Sequence, residues 1–206
     1  MTTAIADTSS LMTTEQLLAL PDDGVDRDLI RGKLVEKSIT RRNRRHSRTE
    51  ANFAFLLKGW LETQSEPRGE VLCGEAGFRL RSDPDTTVGV DVAYISAETA
   101  ELTPEDAFII EGTPILVVQI LSPSNEQEDI LDKVREYLYC GVKLVWLAEP
   151  VFRTITVFSL MPSRRCSIRH RRTVPAGFSD AGGGGVCQVE AVASDIAKVC
   201  QRRKDW

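Results

Sequence analysis

Two polar side chains interrupt segments that otherwise read as wholly apolar strands: Asp91 within VGVDVAYI and Gln119 within ILVVQIL. Each sits near the middle of a run whose composition predicts burial on both faces. Burying an unpaired polar group costs about 2–7 kcal/mol and an isolated carboxylate costs more, so each needs a partner. A divalent cation is one such partner, because hard metals take carboxylate oxygens projecting from neighbouring strands. A helix N-terminus or an arginine would satisfy Asp91 as well, and the strands alone leave that choice open. Lys133 adds a third element. It lies on the helix expected after the Gln119 strand, one turn beyond Asp129 and beside an apolar face carrying Ile130 and Val134. A helix leaving the C-terminal end of that strand can return the ammonium towards Asp91 and Gln119. A solvated lysine paired with Asp129 or Glu136 is the plainer alternative.

Charge is distributed unevenly around these residues. Arg41, Arg42, Arg44, Arg45 and Arg48 form one cluster and Arg164, Arg165, Arg169, Arg171 and Arg172 a second, on a chain whose formal net charge is −4. Local potential steers a polyanion more than net charge does, so either cluster suits phosphate, and either equally suits a solvated face. Five cysteines, an odd number without a C-x-x-C pair, read as reduced thiols. No apolar run approaches the roughly 18–20 residues a membrane span requires, and the N-terminus lacks a basic segment followed by an apolar one. A cytoplasmic chain without a membrane partner is therefore expected.

The elements that must position these residues follow from periodicity. Residues 1–12 are small and polar and predict a disordered N-terminus. Thr13 with Gln16 three residues later caps a short helix that stops near Pro21. DLIRGKLVEKS alternates around Arg31-Gly32, which predicts a β-hairpin. Ala51, Ala54, Leu57 and Leu61 recur at helical spacing and predict a long helix over about 44–64. Three strands are expected next, EVLCGEAGFRLR with a bend at Gly74, then VGVDVAYI, then TPILVVQIL, with one helical turn in SAETAELTPEDA. Asn125 and Glu128 suit the start of the Lys133 helix, Gly141 suits its end, and KLVWLAE with TITVFSL predicts a closing hairpin around Pro150. The order predicts one α/β domain over 13–160, with a mixed central sheet flanked by helices. Beyond Leu160 the pattern fails, so 161–206 is expected to be an irregular C-terminal tail on the same domain. The AGGGG segment lacks a Lys-Ser/Thr ending and reads as a connection, not a phosphate loop.

VDVAYIS, then VVQILSPSNEQEDILDKVREYL, then GVKLVWLAEP resembles the signature of the Uma family of restriction-endonuclease-like proteins, within the PD-(D/E)XK nuclease superfamily. The opening TTEQLLALPDDGVDRDLIRGKLVE and RRNRRHSRTEANFAFLLKGWLE are similar to that family's start. The resemblance spans about residues 12–158. It implies a restriction-endonuclease-like fold, dependence on Mg²⁺ or Mn²⁺, and hydrolysis of DNA phosphodiester bonds. It makes Asp91 the motif aspartate that ligates the metal, Gln119 the occupant of the next motif position, and Lys133 the motif lysine displaced onto a helix. It also aligns Glu50 with a position where some superfamily members add an acidic ligand, although a helix-surface glutamate explains Glu50 too. Arg42, Arg44, Arg45 and His46, at the start of the long helix, would then contact backbone phosphate without reading sequence. A homodimer is allowed but not dictated.

One departure bears on activity. The motif position held by Gln119 is normally Glu, and the exchange keeps a carbonyl oxygen while removing a negative charge beside the cation. A weakened endonuclease is expected, and the alternative is a catalytically inactive module of the same fold that binds nucleic acid or a protein partner. Trp60, Trp146 and Tyr137 read as core aromatics, and Cys140 as a buried structural thiol.

Overall fold

The computed structural model describes residues 11–37, 42–122, 127–160 and 168–172. The expected tail at 1–10, the Asn125 cap, the AGGGG segment and the rest of 161–206 outside 168–172 lie beyond those residues. Helix α1 (Thr14–Leu18) starts at the predicted capping box, in which Thr13 and Gln16 exchange side-chain-to-backbone hydrogen bonds. The chain is already tied down at Met12, whose N–H donates to the Gly32 carbonyl at 2.8 Å. Strands β1 (Asp26–Ile30) and β2 (Lys33–Lys37) form the predicted hairpin. Arg31 (φ +50°) and Gly32 (φ +74°) both adopt the left-handed conformation that a two-residue turn of this twist requires.

Asn43 caps α2 (Arg44–Leu61) by accepting from the N–H groups of Arg45 and His46, and the helix ends three residues before the expected 64. Then come β3 (Glu70–Arg81), β4 (Thr86–Ile95), α3 (Ala97–Leu102), β5 (Ile109–Glu111), β6 (Leu116–Ile120), α4 (Gln127–Tyr139), β7 (Leu144–Glu149), β8 (Thr154–Leu160) and β9 (Ile168–Arg172). Two of these correct the expectation. The apolar residues just after the polar excursion form a short strand, β5, parallel to β3, and part of the basic stretch after Leu160 forms β9, antiparallel to β8. Neither shows alternation: β5 is three residues long, and β9 is almost wholly basic in sequence.

The strands form one mixed sheet in the order β2-β1-β4-β6-β7-β8-β9, with β3 on the other edge of β4 and β5 beyond it. Among the described residues, only β6–β7 and β3–β5 are parallel pairs. Helix α2 packs through Phe53, Leu57 and Trp60 onto Val118, Ile120 and Trp146 of one face. Helix α4 packs through Val134, Tyr137 and Leu138 onto Val117, Val145 and Leu147 of the other. These alternating positions on β6 and β7 bury both faces, which is why the two strands read as continuous apolar runs. Among the described residues no helix is long and apolar enough to cross a membrane.

The alternation of β4 breaks at one place. Val88 and Val90 join the α4 side, whereas Val92 joins the α2 side. Opposite this break, β3 pairs Cys73 with Val92 and Ala76 with Val90, leaving Gly74 (φ +87°) and Glu75 (φ +60°) as a bulge. A bulge adds twist and re-aims the side chains beside it. Asp91 is the residue at that switch.

Candidate active site

Strand β4 pairs with β6 only over Val92–Tyr94 and meets β1 at Thr87, so the sheet forks between these contacts. Backbone groups at a fork lack ladder partners and must find others. The Asp91 carboxylate, 1 % exposed, spans the opening: its Oδ2 accepts from the Ile120 N–H at 2.7 Å and from Gln119 Nε2 at 2.9 Å. Gln119 is the side chain that β6 projects into the same gap, and its Oε1 accepts from the Tyr137 hydroxyl of α4 at 3.2 Å. An ionised carboxylate accepts only, so this network fixes the Gln119 amide with nitrogen towards Asp91 and oxygen towards Tyr137.

The second carboxylate oxygen is different. Asp91 Oδ1 is buried and makes no hydrogen bond, while His46 Nε2 of α2 approaches to 3.2 Å without alignment for one. The other ring nitrogen, His46 Nδ1, is likewise buried without a hydrogen bond, and lies 3.8 Å from Glu50 Oε2 one helical turn away. Glu50 is anchored through its other oxygen, which accepts from the Gly74 N–H of the β3 bulge at 2.7 Å. Ligand atoms of His46, Glu50 and Asp91 all fall within 4.8 Å of one another. One nitrogen of the His46 imidazole, which lies between the two carboxylates, one oxygen of Glu50 and the Asp91 Oδ1 that lacks a hydrogen bond are a donor set that fits a divalent cation. His46, Glu50 and Asp91 are the residues that would hold it.

Lys133 comes back to the fork from α4, but its partner is neither Asp129 nor Glu136. Its Nζ lies 2.8 Å from Asp28 Oδ2 and 3.4 Å from the Gly89 carbonyl, two residues before Asp91 on β4. Asp28 Oδ1 in turn accepts from the Gly89 N–H at 3.0 Å, so Asp28 ties β1, β4 and α4 together at the site. Glu136 instead receives Arg31 of the hairpin turn and the Thr86 hydroxyl.

The four basic residues at the start of α2 separate. Arg44 and Arg45 are exposed and, with Asn43, His46, Leu121, Pro150 and Val151, line a cleft of about 300 Å³. Arg42 is partly buried and ion-paired with Glu75 of the bulge and with Asp26 of β1 at 3.5 Å. His46 turns inward, 4 % exposed, and forms the floor of the cleft beside Asp91. Its position in an arginine run suggested a surface contact. The spacing His46, Phe53, Leu57, Trp60 is instead the buried stripe of α2, and that is the signal that locates it.

Asp28, Tyr137 and Gly89 were absent from the sequence-derived site. Asp28 sits between Arg27 and Leu29 in a strand rich in charge, and only the β1–β4 geometry reveals it as buried. Tyr137, read as a core aromatic, is 1 % exposed as expected, yet its hydroxyl orients Gln119. Burial pushes the Cys140 thiol up to about 11, with the Glu136 charge adding to it.

Comparison with known proteins agrees with this architecture. The chain is similar to the crystal structure of a "putative nuclease belonging to DUF820" from Anabaena variabilis, at a TM-score of 0.64 and 18 % identity, covering 91 % of this chain and 97 % of that one. At that identity the likeness shows a shared fold. No curated protein matches the sequence. The sequence matches the family Uma2, described as "Putative restriction endonuclease", over residues 14–177. Those residues include the fork between β4 and β6, helix α2 and helix α4, and the chain therefore belongs to the Uma2 family.

Proposed function

We propose that this protein is a divalent-cation-dependent endonuclease that hydrolyses DNA phosphodiester bonds at the fork between β4 and β6. The observation that carries this reading is Asp91 Oδ1, a buried carboxylate oxygen without a hydrogen bond, turned towards His46 and Glu50. A cation bound there would polarise the scissile phosphate and acidify a water. Arg44 and Arg45 line the cleft that leads to His46 and suit backbone phosphate, as does the N-terminal end of α2. Lys133, held by Asp28 and Gly89, offers positive charge on the α4 side of the fork for the developing phosphorane. Tyr137 and Gln119 orient Asp91 from that same side. Gln119 supplies its own oxygen to a cation only if the amide turns over and gives up both of its hydrogen bonds.

That last point favours a second reading, a module of the same fold that binds nucleic acid or a protein partner without cutting. Its specific support is the Gln119 Nε2 hydrogen bond to Asp91 Oδ2, which satisfies by an amide what a motif glutamate would leave to a metal. Plasmid nicking separates the two. The wild-type chain is expected to nick supercoiled plasmid slowly with Mg²⁺ or Mn²⁺, Gln119→Glu to nick faster, and Asp91→Ala not at all. Silence of both wild type and Gln119→Glu, with plasmid still retained at low salt, would establish the binding module.

A further inference from the structure

We propose that the cation site of this chain is built from a nitrogen of His46, an oxygen of Glu50 and Oδ1 of Asp91, excludes Gln119, and prefers a first-row transition cation to Mg²⁺. The proposal deepens the metal requirement of the proposed nuclease. It rests on that reading only for the presence of a cation.

The exclusion of Gln119 follows from its two hydrogen bonds. Asp91 Oδ2 already holds two N–H donors, from Gln119 and Ile120, and both come from β6. Gln119 Oε1 is engaged by Tyr137, which is 1 % exposed and packed under α4, so the amide is held from both ends. What remains open in the fork is the α2 side. There Asp91 Oδ1 and His46 Nδ1 are both buried without a hydrogen bond, and Glu50 is braced by the Gly74 N–H so that its Oε2 faces the imidazole. A ligand atom from each falls within the 4.8 Å span, and since donors about 2.1 Å from one ion sit about 3.0–3.4 Å apart, a bound ion would draw the three together by about an ångström or more.

The preference follows from the donor atoms. Two oxygens and one imidazole nitrogen form a mixed set, whereas Mg²⁺ favours oxygens alone and sheds water reluctantly. Imidazole suits first-row transition ions, and Mn²⁺ accepts both donor types without seeking the cysteine thiols as Zn²⁺ would. With Gln119 neutral, the site also carries one negative charge fewer than a motif glutamate would give it. That loss weakens Mg²⁺ more than an ion that gains from the nitrogen.

Calorimetric titration of the full chain without DNA tests this, using Mn²⁺ and Mg²⁺ in turn. Mn²⁺ is expected to bind about tenfold tighter than Mg²⁺ or better. His46→Ala should lower Mn²⁺ affinity by about tenfold and bring the two ions together, and Gln119→Glu should raise Mg²⁺ affinity. Electron spin-echo modulation on the Mn²⁺-loaded wild-type chain should show one coupled imidazole nitrogen. That readout needs no variant, so a misfolded His46→Ala protein would not spare the proposal. Equal affinity for the two ions, or Mn²⁺ bound without nitrogen coupling, would overturn it. Binding with nitrogen coupling but no plasmid nicking would defeat the nuclease reading alone.

Discussion

The ammonium of Lys133 lies 2.8 Å from Oδ2 of Asp28, across 105 residues of chain, and the aspartate side chain is 4 % exposed. This ion pair ties α4 to β1 at the edge of the fork. Removing one member of a fully buried pair costs about 3–5 kcal/mol, but Lys133 can reach water, so Asp28→Ala should cost about 2 kcal/mol in urea unfolding. Asp28→Asn keeps an acceptor for the Gly89 N–H and should lose about half as much. A loss below about 0.5 kcal/mol for the alanine variant would mean the pair contributes nothing.

Two glycines should respond with opposite signs to the same substitution. A Cβ on Gly69 would lie 1.9 Å from the Ile95 carbonyl oxygen and 2.9 Å from its carbon, and backbone atoms of a central strand cannot withdraw. Gly69→Ala should cost more than about 3 kcal/mol or abolish soluble expression. Gly59 is an exposed residue of α2 with nothing within 4 Å of its virtual Cβ. Gly59→Ala should therefore stabilise by about 0.5–1 kcal/mol, and a lower melting temperature for it would contradict the open space described.

Asp85 anchors the N-terminal helix, and its titration should shape the acid limb of stability. Burial works against its charged form, yet hydrogen bonds from the Thr14 hydroxyl and N–H and from Arg79 outweigh burial and hold the carboxyl well below the usual range. A folded-state value depressed in this way gives stability that is fully present above the unfolded value of about 3.9 and is lost as pH falls towards the folded one. Asp85→Asn should be less stable than wild type at pH 7, with the gap closing below about pH 4. A gap that is constant from pH 7 to pH 2 would show that the charge of Asp85 is not what matters.

Thiol reactivity should divide along burial. With its thiol pushed up to about 11, Cys140 is thiolate in only about one molecule per thousand at pH 8, whereas Cys73 is exposed on β3. Peptide mapping after brief iodoacetamide treatment should find Cys73 modified well before Cys140. The reverse order would place Cys140 in an environment unlike the one described.

Legibility of the site from sequence was set by how local each signal is. The capping box at Thr13, the left-handed turn at Arg31-Gly32 and the bend at Gly74 depend on neighbouring residues, and each is where the sequence places it. Asp91 and Gln119 stand out because apolar runs advertise the faces that bury them. Their meeting is now a distance of 2.9 Å between Nε2 and Oδ2. Asp28 escaped because burial of β1 depends on a single pairing with Thr87, 58 residues away, and no local pattern carries that information. His46 was masked by its neighbours, since an arginine run overrides the helical stripe that leads from it to Phe53 and Leu57. Strand β9 could not be read at all from alternation, because all but one of its residues are basic.

The carboxamide of Gln119 has a consequence for how the chain matures. Two carboxylates facing each other across the fork would repel unless a counter-ion arrived, so a glutamate there would make folding sensitive to the ionic composition of the cell. An amide donating to Asp91 removes that repulsion within the polypeptide itself, and the side chains on the β6 side of the fork can close in the presence of a chelator. Equal refolding yields in EDTA and in divalent salt would be the mark of such independence, and a Gln119→Glu chain would forfeit it.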